Sequence, residues 1–295
     1  MTLVDVINLF DTDEKCREIL VRLRWPAGVE CPRCKMPAVE LATVKQLFYC
    51  KGCDYQFTVT ASTIFNDSHL PLQKWFLATL LLCEARKGMS ANQVKRTLGV
   101  SYKTAWYLCH RIRAAMKEAD RPMLDGTVEM DETYVGGRKR GSGLRGGKGK
   151  EVVIGIRKRN GDLRFFHAED AKSATLAQYV QDNISADVDV IVTDTLNAYK
   201  SAVGNVPHKT VNHTSEEYVR YEDGFCVTTN TVESAFSLLK RGIVGSWHKV
   251  SAKHLPAYLA EMEFRFNRRK SHTLFLDTLR HMITAPVLTF ETLTA

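Results

Sequence analysis

Two kinds of apolar pattern alternate along the chain. Helical spacing comes first: residues 11–25 open with capping residues, continue as a short amphipathic helix, and end at Pro26 and Gly28. Residues 72–86, after Pro71, form a strongly apolar helix that stops near Gly88. Ser90 and Ser101 then cap two short helices with Gly99 in the turn between them, the pattern of a helix-turn-helix and also of a plain packing pair. Residues 118–125 read as a linker. From Gly126 the period changes to that of strands. Residues 128–135 alternate, with Val128 and Met130 on one face and Glu129, Asp131 and Thr133 on the other. Two further strands, 152–157 and 163–167, flank the turn signal Asn160-Gly161. A helix at 173–184, a buried strand at 188–194, a short helix at 197–203 and a strand at 209–212 follow. Helices at 229–241, 251–267 and 274–283 complete the reading.

In the 229–241 helix Val232, Ala235, Phe236, Leu238 and Leu239 supply an apolar side. Asn230, Glu233 and Lys240 fall three and seven residues apart and share the opposite face. Asn230 and Glu233 also occupy the places of an N-cap residue and its capping-box partner, so the pair has a structural reading beside the functional one.

Charge changes the picture. The net charge is +8, and three acid-poor blocks, 86–117, 138–150 and 240–270, hold 22 of the 41 basic residues. Such blocks favour a polyanionic partner, most simply nucleic acid. The glycine- and cation-rich loop 136–150, with Arg138, Lys139 and Arg140, suits closure around a phosphate backbone or serves as a tether. No run of eighteen apolar residues and no signal-peptide start occur, so a soluble cytoplasmic protein, nucleoid-associated and not membrane-bound, is expected.

The 8 cysteines then argue for metal more than for disulfides. Cys31-Pro-Arg-Cys34 and Cys50-Lys-Gly-Cys53 form two knuckles that suit one tetrahedral zinc ion in a small ribbon, as scaffold or as DNA contact. Cys83 and Cys109 read as core residues. Three carboxylates lie on three elements: Asp131 on the first long strand, Asp194 where the 188–194 strand ends, and Glu233 on the later helix. Ligands gather where strands of α/β proteins end, although Asp194 also suits an N-cap.

On these residues the sequence resembles the bacterial insertion-sequence transposases of the DDE superfamily that carry an N-terminal zinc ribbon and an ISXO2-like catalytic domain. The resemblance runs from about Trp25 to Lys270. It rests on the four cysteines, on Met130-Asp-Glu-Thr-Tyr-Val-Gly-Gly137, on Val192-Thr-Asp-Thr195 with Tyr199, on Asn230-Thr-Val-Glu233 with Leu239-Lys-Arg-Gly242, and on Tyr258 with Arg265-Phe-Asn-Arg-Arg269. It implies a multidomain α+β and α/β chain: a helical segment at 1–25, a zinc ribbon at 26–65, a helix-turn-helix at 70–118, an RNase H-like mixed-sheet domain at 125–270 and a C-terminal helix and tail at 271–295. Asp131 and Asp194 would be the first two acidic positions, Glu233 or Asn230 the third, and Lys240 the trailing cation. Many relatives place a histidine two residues before the asparagine, where this chain has Thr228.

The implied activity is cleavage of DNA at the ends of an insertion sequence and joining of the 3′-hydroxyl to target DNA. Two Mg²⁺ or Mn²⁺ ions would be held by Asp131, Asp194 and Glu233. Tyr102, Lys103 and Thr104 of the helix-turn-helix, the loop cations, Lys240 and Arg241 would touch DNA, and cations of the 251–267 helix would line its path. A homodimer or larger synaptic assembly would hold two ends. A DNA-binding regulator with a vestigial catalytic fold and a nuclease without strand transfer are the competing functions.

Overall fold

The computed structural model describes residues 1–41, 46–136, 149–215 and 217–295. It divides into two compact units, residues 118–267 and the remainder, so that 268–295 return to the N-terminal unit.

The N-terminal unit begins with α1 (Leu3–Leu9), a separate helix within the expected helical segment 1–25, capped by a reciprocal Thr2–Asp5 box. In α2 (Asp13–Arg24) the Thr12 hydroxyl accepts the Lys15 amide. Three short strands, β1 (Val39–Glu40), β2 (Phe48–Cys50) and β3 (Tyr55–Phe57), pair antiparallel in that order. Trp25, Phe48 and Phe57 pack edge-on or tilted beneath them. Next come α3 (Leu72–Glu84), α4 (Ala91–Leu98) and α5 (Tyr102–Ala115). Gly99 joins the last two at φ 61°, the left-handed conformation that glycine adopts without strain. Cys83 and Cys109 are buried here, as expected of small apolar side chains.

The second unit is organised on β4 (Thr127–Val135), β5 (Glu151–Lys158), β6 (Leu163–Ala168), β7 (Val190–Asp194) and β8 (His208–Val211). β5 runs antiparallel to β4 and β6, whereas β7 is parallel to β4 and β8 to β7, giving the order β6-β5-β4-β7-β8. α6 (Ser173–Asn183) and α7 (Asn197–Val203) cover one face, where Met130, Ile154, Ile156, Ile191 and Tyr199 are buried. A hairpin of β9 (Arg220–Glu222) and β10 (Phe225–Val227) precedes α8 (Asn230–Gly242) and α9 (Leu255–Asn267). These two helices cover the other face: Val232, Ala235, Phe236 and Leu239 recur at i, i+3, i+4 and i+7 and bury against Val153 and Phe165. The stretch read as a linker is docked on the α6 side of the sheet, since Leu124 is buried in that core and bridges to Ile184.

One observation corrects the reading of α9. Arg265 does not line a DNA path: it is buried and paired with buried Glu261 at 2.9 Å. Back in the N-terminal unit, α10 (Leu274–Thr284) packs on α2, α3 and α5, and α11 (Phe290–Thr294) ends the chain. No helix among the described residues is long and apolar enough to cross a membrane.

Candidate active site and zinc centre

Two groups of side chains carry chemistry. In the ribbon, Cys31 and Cys34 come from the turn after α2, Cys50 from the end of β2 and Cys53 from the turn into β3. Cys31 Sγ lies 3.6 Å from Cys53 Sγ, Cys34 Sγ lies 3.4 Å from Cys50 Sγ, and all four sulfurs fall within 4.8 Å of one another. Tetrahedral zinc with Zn–S bonds of about 2.3 Å requires sulfurs about 3.8 Å apart, so the residues fit the ion. Burial opposes ionisation of Cys31, but the backbone N–H groups of Cys34 and Arg33 together with the Cys53 and Cys34 thiols lower it to about 6.

The second group lies on the α8 face of the five-stranded sheet. Asp131 pairs with Gly155 across β4 and β5, and directly opposite residues share a face. A Cβ on Gly155 would meet Phe236 Cζ at 2.7 Å and Val232 Cγ2 at 2.9 Å, so α8 lies directly on that point. Glu129 pairs with Val192 in the parallel ladder; continuing that register by two residues sets Asp131 beside Asp194 at the end of β7. Glu233 faces the same region from the first turn of α8.

Burial, then the charges of Glu132 and Asp194, and more weakly that of Glu233, raise Asp131 to about 8, although the Glu132 amide donates to Asp131 Oδ1 at 2.9 Å. Glu132 points to the other face. Burial raises its pKa, and the Tyr199 hydroxyl donates to it at 2.7 Å. Hard carboxylate oxygens gathered at one point, where burial and then mutual charge oppose ionisation, form a donor set that suits a divalent cation. Among the described residues, however, only the four cysteines converge into a ready metal cluster.

Asp194 does not cap the next helix. The N-cap position of α7 is Leu196, whose amide donates to Asp194 Oδ1 at 2.9 Å. Nor do Asn230 and Glu233 form a capping box: the N-cap residue is Thr229, Asn230 is the exposed first residue of α8, and Glu233 Oε1 accepts from the Thr229 hydroxyl at 2.9 Å. Lys240 and Arg241 are exposed on the last turn of α8. In the N-terminal unit Tyr102 is exposed, the Thr104 amide donates to Ser101 Oγ, and Lys103 Nζ sits 4.4 Å over the Phe290 ring from α11. Arg138, Lys139 and Arg140 lie outside the described residues.

Three residues at this site have no role in the sequence reading. Glu129 is fully buried and paired with Arg159 at 3.0 Å. His213 Nε2 lies 2.9 Å from Glu233 Oε1 and 3.0 Å from Thr229 Oγ1. It thus reaches Glu233 from the loop after β8, not from the place occupied by Thr228. The alternation of β4 signalled that Glu129 shares the face of Asp131; nothing in the sequence pattern signals His213.

Known proteins match both groups. The profile of the ISXO2-like transposase domain matches residues 123–267, and that of the transposase zinc-ribbon domain matches residues 11–56. A protein of the transposable element ISH50 from Halobacterium salinarum, itself uncharacterised, is 32% identical over 289 residues, covering 88% of this chain and 92% of its own length. The chain belongs to the ISXO2-like transposase family. In this family's terms the ribbon and the sheet unit are the two matched domains. A crystal structure of a pre-cleavage Mos1 transpososome covers 70% of this chain and 77% of its own at 12% identity, with a TM-score of 0.24, an overlap too loose to bear on the fold.

Proposed function

We propose that this transposase cuts DNA at the ends of its element and joins the freed 3′-hydroxyl to target DNA, using Asp131, Asp194 and Glu233. The observation that carries the reading is the shared face: Asp131 beside the end of β7, with α8 laid over Gly155, and a pKa raised to about 8 by burial and by neighbouring carboxylates that include Asp194 and Glu233. The strand order, three antiparallel strands followed by two parallel ones with helices on both faces, supports an RNase H-like domain.

Two Mg²⁺ or Mn²⁺ ions, when bound, would supply activated water and neutralise the phosphate and the leaving alkoxide. The chain's own residues do the rest. Asp131 would hold both ions, and Asp194 and Glu233 mainly one each; a cation there would favour the ionised Asp131 carboxyl, against the burial and the neighbouring charges that raise its pKa. His213 and Thr229 hold the Glu233 carboxylate in place. Lys240, exposed two turns along α8, contacts a phosphate near the element end, and Asn230 at the mouth of the site donates to the DNA.

The α4–Gly99–α5 pair reads the terminal repeat as a helix-turn-helix, with Tyr102, Lys103 and Thr104 foremost. The net charge of +8 supports a DNA partner, and holding two ends together calls for a dimer or larger assembly. The test is joining of a labelled element-end duplex to supercoiled plasmid under Mg²⁺ or Mn²⁺. Cutting without joining would leave a nuclease; end binding with neither would leave a regulator.

A further inference from the structure

The helix that presents Asn230 and Glu233 takes no side-chain cap from its N-cap residue, Thr229. The Thr228 hydroxyl accepts the Asn230 amide at 3.2 Å, and the Glu233 amide donates to the Thr229 carbonyl. The two amides between them go to Glu129, two residues before Asp131 on β4. Its Oε2 accepts from the amides of Thr231 at 2.9 Å and Val232 at 3.1 Å, and from the Thr231 hydroxyl at 2.6 Å. Its Oε1 accepts from Arg159 Nε at 3.0 Å, and that guanidinium donates onward to the carbonyls of Cys226 at 2.8 Å and Thr228 at 3.1 Å, on the strand that leads into α8. Arg157 also donates to the Thr231 carbonyl.

A buried carboxylate is stable only when its lone pairs are filled, and a helix N-terminus fills them well, because its free amides and its dipole both favour negative charge. The bonds are directional, so the first turn of α8 is held against one point of β4. An ordinary N-cap would stabilise the helix without fixing where it lies. Here the cap comes from the strand that carries the first acidic residue.

We propose that Glu129 is a positioning residue of the transposase site: by capping α8 from β4 it sets Glu233 against Asp131 and Asp194 before any metal arrives. The proposal rests on the metal-dependent reading given above. Glu129 touches neither DNA nor metal; it acts through the helix.

The test uses the full chain with its zinc retained and Mn²⁺ alone as probe, with binding followed by the paramagnetic resonance of free Mn²⁺. Single-turnover cleavage of an element-end duplex across a Mn²⁺ titration is the second readout. Glu129→Asp keeps the charge but withdraws the carboxylate by one methylene, and Thr231→Val removes one donor and leaves the fold of the helix alone. Groups that orient metal ligands change metal affinity roughly 10-fold or more. Glu129→Asp should therefore weaken Mn²⁺ binding and raise the half-activating Mn²⁺ concentration by about that factor, with end binding and the circular dichroism of the parent. Thr231→Val should shift both in the same direction by a smaller factor.

A folded Glu129→Asp protein with parental Mn²⁺ binding and half-activation would overturn the proposal. So would a variant that lost only its active fraction, the mark of simple destabilisation. Should Glu129→Asp fail to fold, Thr231→Val decides: unchanged Mn²⁺ affinity overturns the proposal. Asp131→Ala separates the two levels, because a parent that binds no more Mn²⁺ than Asp131→Ala overturns the metal reading and the positioning role with it.

Discussion

The ribbon and the carboxylate face answer the same need, holding negatively charged ligands close together, in opposite ways. The ribbon's four thiols lie no more than 22 positions apart in sequence and come within 4.8 Å of one another on a module with a handful of buried side chains. The carboxylates arrive from β4, β7 and α8, on a unit with two extensive cores, and remain apart enough to leave no closed cluster. A site that needs its metal to fold is built by local spacing; carboxylates gathered from distant elements are held by the scaffold, which tolerates their repulsion. The first depends on its metal for structure, the second on its packing for geometry.

The largest break in that comparison comes from the ribbon. Structural zinc in modules of this size contributes ~10–16 kcal/mol of apparent binding free energy. Cys34→Ser with Cys50→Ser, or chelation, should collapse the amide spectrum of residues 26–65 while the thermal transition of the 118–267 unit persists.

Gly155→Ala acts on the packing side. Its Cβ would lie 2.7 Å from Phe236 Cζ, so α8 must lift from the strand opposite Asp131. Overpacking of this kind costs roughly 1–3 kcal/mol. Cleavage should fall more than the lowered melting temperature explains, and end binding should stay.

A third comparison uses pH. Burial and its neighbours raise Asp131 to about 8 in the fold, against an unfolded value near 4. Between those values the folded protein keeps a proton that the unfolded chain has released. The stability due to the neutral carboxyl is complete below pH ~4 and is lost as pH rises through ~8. Without divalent metal, Asp131→Asn should therefore raise the melting temperature of the 118–267 unit at pH 8 and leave it unchanged at pH 4. Melting curves at the two pH values check this.

The smallest effect is expected at His213. Its pair with Glu233 is about one-third exposed on both sides, so His213→Ala should cost less than about 1 kcal/mol of stability. The freed carboxylate should raise the half-activating Mn²⁺ concentration a few-fold, measured by cleavage across a Mn²⁺ titration.

The two sites were also unequally legible in the sequence. Cysteine knuckles, the Gly99 turn and the alternation of 128–135 are local signals, and the structure carries each of them. The elements bearing Asp131, Asp194 and Glu233 were legible for the same reason. The Glu129 cap was not, because it joins a side chain to backbone amides 102 residues away and leaves no periodicity. His213 stands in a three-residue turn, and the strands of the 220–227 hairpin are three residues each, too short to show a period. Their turn, with Asp223 and Gly224 both at positive φ, carries an Asp-Gly signal that the reading passed over. Arg265 was misplaced because charge alone does not reveal that its partner Glu261 is buried one helical turn away.

If Asp131 anchors the proposed metal-dependent site, its loss should abolish joining and spare DNA binding. The deciding experiment is divalent-metal-dependent joining of an element-end duplex to supercoiled plasmid by the parent protein and by Asp131→Ala. Joined product is expected from the parent alone, with both proteins binding the end equally. End binding by both without cleavage or joining under Mg²⁺ or Mn²⁺, or joining that survives Asp131→Ala, would contradict it.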